Sequence, residues 1–146
     1  MRTGQTQLRV IQADVHPFCL VCSRSNPYGL ALEFDVNGDG SVTASFLGNA
    51  ALEGYQGLLH GGMIASLLDG AMTNCLFAHG LVAVTAELKV RYSNPVKTGC
   101  EMAVRAWIEE PHPPLYLMRA ELKQEHCVKA IASAKFIERH KSGWRH

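Results

Sequence analysis

The residues best suited to chemistry in this chain lie between His60 and Thr85. His60-Gly61-Gly62 precedes an apolar run. Glycines at a helix start leave backbone N–H groups and the positive end of the dipole open to an oxyanion. Downstream, Ser66, Asp69 and Thr73 recur at spacings of three and four, which places them on one polar stripe continuing from Gly62. A carboxylate on an otherwise apolar helix must find hydrogen-bond partners, accept a raised pKa, or face a wet cleft. Asp69 alone would read as a structural acid satisfied by a neighbouring hydroxyl, but the His-Gly-Gly at the start of its own helix shifts the reading toward function. Gly61 and Asp69 are eight residues apart, roughly 12 Å along an axis that rises 1.5 Å per residue. If both act on one group, two chains must bring their helices together antiparallel across a two-fold axis.

The elements that must hold these residues follow from periodicity. Ile64, Leu67, Leu68, Ala71, Cys75 and Ala78 recur at helical spacing and predict one long helix over 63–79, stopped by Gly80. It is apolar nearly all round, as suits a helix wrapped by a sheet. From residue 82 the period becomes two: Ala86, Leu88, Val90 and Tyr92 alternate with charged residues until Asn94-Pro95. Strands are likewise expected around Met102–Ile108 and Tyr116–Leu122, separated by a turn at Pro111-His112-Pro113-Pro114, and over 128–137. The runs 30–36 and 41–46 flank Asn37-Gly38-Asp39-Gly40 and predict a hairpin. About six strands and one central helix, without regular alternation, make an α+β chain with a mainly antiparallel sheet.

Composition bounds the rest. The 146 residues suit one domain, 1–146, and 47% hydrophobic with 18% charged residues is a globular balance. A net charge of +1 and no run of Lys or Arg argue against nucleic acid as a partner. The weakly polar stretch 58–84 contains His60, Asp69, Asn74 and His79 and makes a poor membrane span. The start carries no secretory pattern, and five cysteines, an odd number, argue for reduced thiols, so the expected location is cytoplasmic. Cys19-x-x-Cys22, with His16 near by, offers half of a zinc site or a redox pair. No second cysteine pair follows, so free thiols are expected and no metal is assigned. Asp35-x-Asn37-x-Asp39-Gly40 opens like a calcium loop, but Phe46 stands where the bidentate acid belongs. His79, His112, His126, His140 and His146 form no ligand set.

Glu53-Gly-Tyr-Gln-Gly-Leu-Leu-His-Gly-Gly-Met-Ile-Ala-Ser-Leu-Leu-Asp69, followed by Thr85-Ala-Glu-Leu-Lys-Val-Arg-Tyr-Ser-Asn-Pro-Val-Lys-Thr-Gly99, resembles the hotdog-fold acyl-CoA thioesterases of the phenylacetyl-CoA (PaaI-like) type. Cys19-Leu-Val-Cys-Ser-Arg-Ser-Asn-Pro-Tyr-Gly-Leu30 is similar to the N-terminal signature of one branch of that group. The resemblance implies a sheet wrapped around the central helix, a homodimer with two interface sites, and pairing of dimers into homotetramers. It implies hydrolysis of an acyl-CoA with no cofactor, coenzyme A being part of the substrate. It also implies roles: Gly61 N–H polarises the thioester carbonyl, His60 lies beside the thioester, and Asp69 of the other subunit is nucleophile or general base. Thr73 positions water or the acid, while Gly62, Gln56 and Thr85 contact substrate. Lys89, Arg91, Lys97 and Arg105 are candidate partners for the coenzyme A phosphates. The chain departs from the pattern at Gly54, where many relatives have Asn or Gln, and at Gly70, where many carry a second acid. An acyl-CoA-binding or regulatory protein of the same fold is the alternative; it would lack a competent acid.

Overall fold

A computed structural model describes residues 3–139 of the chain, so His140 and His146 lie outside the described residues. The element order is α1 (Gly4–Val15), β1 (Asp35–Val36), β2 (Val42–Leu47), a 3₁₀ turn (Ala50–Leu52), α2 (Gly61–Ala78), β3 (Ala83–Tyr92), β4 (Glu101–His112), β5 (Leu115–Gln124) and β6 (Cys127–Glu138). The six strands form one antiparallel sheet in the order β1-β2-β4-β5-β6-β3. It wraps α2, the hotdog arrangement expected from the sequence.

The sheet can close on the helix because its inner face is graded in size. Met102 and Val104 on β4 and Met118 and Leu122 on β5 are fully buried, whereas Ala106, Ala120, Ala130, Ala132 and Ala134 leave room for the helix. On α2, Leu67, Leu68, Met72, Leu76 and Phe77 fill the space between.

Four details differ from expectation. A second helix, α1, precedes the domain core; Thr3 caps it by accepting from Thr6 N–H, and Leu8 is buried with Ile11 packed behind it. Only residues 35–36 of the expected strand 30–36 join the sheet, because Leu30 and Leu32 donate instead to the carbonyls of Leu20 and Val21. The chain does turn at Asn37–Gly40, where Asp39 Oδ1 accepts from both Ser41 N–H and Ser41 Oγ–H. Strand β4 runs through Pro111, and the hairpin closes at 113–114. Strand β2 covers β4 only over 101–106, so Pro111 sits on a free edge where a missing N–H is tolerated. Finally, Ala86 is the extra residue of a bulge between Thr85 and Glu87. That one-residue insertion inverts the alternation, so Ala83 and Thr85 share the inner face with Leu88 and Val90, and Ala86 faces out.

Candidate active site

The start of α2 is fixed by its flanking loops. His60 N–H donates to Leu52 O, Leu59 N–H donates to Val96 O, and the Glu53 carboxylate accepts from Thr98 Oγ. His60 is the N-cap: its Nδ1 accepts from Gly62 N–H at 2.8 Å, and its carbonyl accepts from Met63 and Ile64. With Nδ1 an acceptor, a neutral His60 carries its proton on Nε2, pointing a donor away from the helix. A Cβ on Gly62 would sit 3.0 Å from His60 Nδ1, a tight contact that glycine at this position avoids. Among the described residues Gly61 N–H finds no acceptor, and the Gly61 carbonyl accepts from Tyr92 Oη–H at 2.7 Å. His60, Gly61, Ile64 and Tyr92 line a cavity of about 630 Å³ together with Tyr55 and 93–96.

Two turns along the helix the surroundings change. Asp69 is half-buried, and Oδ1 accepts from Thr85 Oγ–H at 2.6 Å, the contact that the bulge at Ala86 makes available. Burial raises its pKa above the ordinary carboxylate value, while the Thr85 hydrogen bond opposes that shift by favouring the ionised form. Charge on Cys19 pushes in the same direction as burial, and His16 counters it. Asp69, Thr73, Thr85 and His16 line a second, small cavity of about 160 Å³.

The chain therefore groups its candidate residues into two half-sites. His60 and Gly61 belong to the donor end; Asp69, Thr73 and Thr85 belong to the acid end. Ser66 and Thr73 each donate to a carbonyl four residues back, Gly62 and Asp69 respectively, so the Thr73 hydroxyl is directed at the helix backbone and away from the carboxylate. Gln56 is exposed in the turn before α2 and is not among the residues lining either cavity. Of the four cations, Lys89 faces Glu87, Lys97 faces Glu125, and Arg105 holds Asp39 while lying over the Trp107 ring; Arg91 is exposed. Lys97 adjoins Val96 at the rim of the larger cavity. Sequence reasoning missed Tyr92 as a site residue, since alternation assigned it to the core; it is half exposed, with its ring edge and hydroxyl against the start of α2. It also missed His16, whose approach to Asp69 depends on α1.

The model of the thioesterase superfamily matches residues 56–131, which include both half-sites. The chain belongs to the thioesterase superfamily. Over 77 residues it is 32% identical to the acyl-coenzyme A thioesterase THEM4 of Rattus norvegicus, a match covering 51% of this chain and 33% of that protein. The chain thus spans about a third of the length of the curated relatives it matches. The Escherichia coli PaaI protein from the phenylacetic acid degradation operon superposes with a TM-score of 0.69 at 18% identity, covering 74% of this chain and 83% of that one. The protein smu.793 of Streptococcus mutans, solved bound to acetyl CoA, gives 0.70 at 18% identity, covering 75% and 90%. The model match bears out the superfamily, and the superpositions bear out the fold. The departure at Gly70 has a packing cause in this structure: a Cβ there would lie 2.6 Å from Val21 Cγ1. An acidic side chain after Asp69 has no room.

Proposed function

We propose that this chain hydrolyses an acyl- or aryl-coenzyme A thioester to the carboxylic acid and free coenzyme A, at a site shared between two copies. One observation carries the reading: the unengaged Gly61 N–H and the desolvated Asp69 carboxylate stand on one helix, roughly 12 Å apart along its axis. An oxyanion donor must come within about 2.7–3.1 Å of the developing charge, and an attacking atom within about 3–3.5 Å of the carbonyl carbon. Donor and acid of one chain cannot meet those limits together, whereas a two-fold pair of helices can satisfy both twice. Strand β3 supports pairing, because it ends the sheet with a ten-residue edge open to another chain. The assembly is at least a homodimer, and the resemblance allows two such dimers to pair into a homotetramer.

In this reading Gly61 N–H, with Nε2–H of His60 beside it, stabilises charge on the thioester oxygen. Asp69 of the partner copy either takes a proton from water or attacks to form a transient anhydride. Thr85 orients Asp69 through its hydroxyl, and Thr73 lines the cavity beneath. Gly62 sets the His60 cap, Gln56 would contact substrate from the exposed turn before α2, and Lys97, next to the cavity-lining Val96, is the candidate cation for a coenzyme A phosphate. The chemistry draws on no cofactor beyond the coenzyme A that enters with the substrate. A cytoplasmic location is part of the proposal, resting on the odd number of cysteines. No helix among the described residues is long and apolar enough to cross a membrane.

The test is release of free thiol from a panel of aryl, short, medium and long acyl-CoAs. Turnover of at least one member, lost in Asp69→Asn, is the expected outcome. Tight binding of the panel with no thiol released would refute hydrolysis in favour of a binding protein.

A further inference from the structure

The end of α1 and the loop after it bring together three side chains that the proposed hydrolysis does not use. His16 Nδ1 lies 3.8 Å from Cys22 Sγ, and the ligating atoms of His16, Cys19 and Cys22 are all within 4.8 Å of one another. A tetrahedral zinc ion, with bonds of about 2.3 Å to sulfur and 2.0–2.1 Å to nitrogen, holds its ligand atoms roughly 3.5–3.8 Å apart. We propose that His16 Nδ1, Cys19 Sγ and Cys22 Sγ form a site for one zinc ion, with the fourth tetrahedral position taken by water.

The surroundings are those of a thiolate site. Val21 N–H donates to Cys19 Sγ at 3.3 Å, the kind of backbone bond that stabilises a ligating sulfur. The His16 ring is held edge-on to Phe77 at 5.0 Å between centroids, which fixes the direction of its nitrogen. Gln12 spans the cluster, donating to Cys22 O and to Asn74 Oδ1, so α1, the loop and α2 are already braced around it. A groove of about 590 Å³ lined by Gln12, His16, Cys22 and Ser23 provides entry. A thiol pair destined only for a disulfide has no need of an imidazole; the third donor is what points to a metal. Binding displaces the thiol protons and adds a cross-link between α1 and the 17–23 loop. That loop presses Val21 against Gly70 of α2, and His16 lines the cavity of Asp69, so the ion would brace one wall of the acid's half-site.

The experiment uses the full chain, reduced, with Cys100→Ser and Cys127→Ser. Cys75 stays in place: burial pushes its thiol up to about 12, which keeps it protonated. Titration with Co²⁺ should give one equivalent of a thiolate-to-cobalt charge-transfer band with tetrahedral ligand-field bands, bleached by Zn²⁺. Cys19→Ser or His16→Ala, checked for folding by circular dichroism, should weaken binding by more than the ~10–100-fold typical of outer-shell changes. In the unsubstituted chain Zn²⁺ should slow alkylation of Cys19 and Cys22, located by mass spectrometry, while Cys127 reacts freely; this arm needs no variant. Absence of the charge-transfer band, affinity unchanged in Cys19→Ser, or alkylation of the pair unaffected by Zn²⁺ overturns the site. A Cys19–Cys22 disulfide forming in air, in a chain that takes up no cobalt, would make the cluster a redox pair instead.

Discussion

Mixing two inactive variants tests the shared site most directly. Gly61→Pro deletes the donor N–H, and the structure shows why the helix should tolerate it. Gly61 is the first residue of α2 and does not have a positive φ. Proline is favoured at that position, where the missing N–H has no intrahelical partner. His60 before it has φ −59 and ψ 136, the extended conformation that a residue preceding proline requires. An added Cβ meets the Tyr92 ring at 3.6 Å, an ordinary contact. Gly61→Ala makes that same contact and keeps the N–H, so it is the control and should stay active. Loss of one oxyanion donor lowers kcat by about 10²–10³, and loss of the acid–base group in Asp69→Asn by about 10²–10⁴. A mixed dimer of the two variants holds one intact site and one site lacking both groups. After random exchange half the dimers are mixed, so roughly one quarter of wild-type activity should return, well above the residue left by either variant alone. Thiol release on a good substrate, with light scattering and a mass-tagged subunit to prove exchange, provides the assay. Exchanged dimers that regain nothing, or an active monomer, would refute the two-chain site.

Asp69 also bears on stability, with a defined sign. Its folded pKa is raised by burial, so it penalises the fold above that pKa and ceases to do so below the unfolded value of 3.8. Asp69→Asn should melt higher than wild type at alkaline pH, with the gain vanishing below pH 3.8; an equal gain at both ends would discount the burial argument. Thr85→Val removes the hydroxyl that favours the ionised carboxylate, so the acid limb of the kcat/KM profile should move to higher pH, and a limb that stays or falls would contradict the contact. Gly70→Ala drives a Cβ to 2.6 Å from the branched Val21 side chain and should destabilise the chain by about 1–3 kcal/mol in urea unfolding, with Val21→Ala restoring much of the loss. Independence of the two substitutions would show that the loop yields.

The elements that position the site were legible where burial imposes a period. The α2 span follows from six apolar residues at helical spacing, and β4 to β6 from alternating rows that end as Met102–Val104–Ala106, Met118–Ala120–Leu122 and Ala130–Ala132–Ala134 on the inner face. Strand β3 resisted because alternation presumes an unbroken ladder, and a single inserted residue at Ala86 reverses every assignment before it. Thr85 therefore read as outward-facing by pattern, and only the resemblance attached it to the site. Helix α1 has just Leu8, Ile11 and Val15 to mark its face, with Thr3 as its cap; that signal was present but thin. Segment 30–34 buries Leu32 and Phe34 but is broken at Ala31, whose φ is +50, and it pairs with a loop, a choice no local pattern encodes.

The polar stripe on α2 makes sense only as a compromise between folding and reactivity. Two of its hydroxyls, Ser66 and Thr73, are neutralised by their own helix backbone, a cheap solution available to any short side chain four residues from a carbonyl. Asp69 cannot use that solution, because a carboxylate has nothing to donate to a carbonyl. It therefore requires a donor from another element, and Thr85 supplies one only because β3 is bulged beside it. A purely structural acid would be expected to collect several donors until its pKa fell; this one keeps a single hydroxyl, a net upward shift and an open cavity at its side. Those three properties together are what a base or nucleophile needs, and they carry more weight for Asp69 than the identity of the residue.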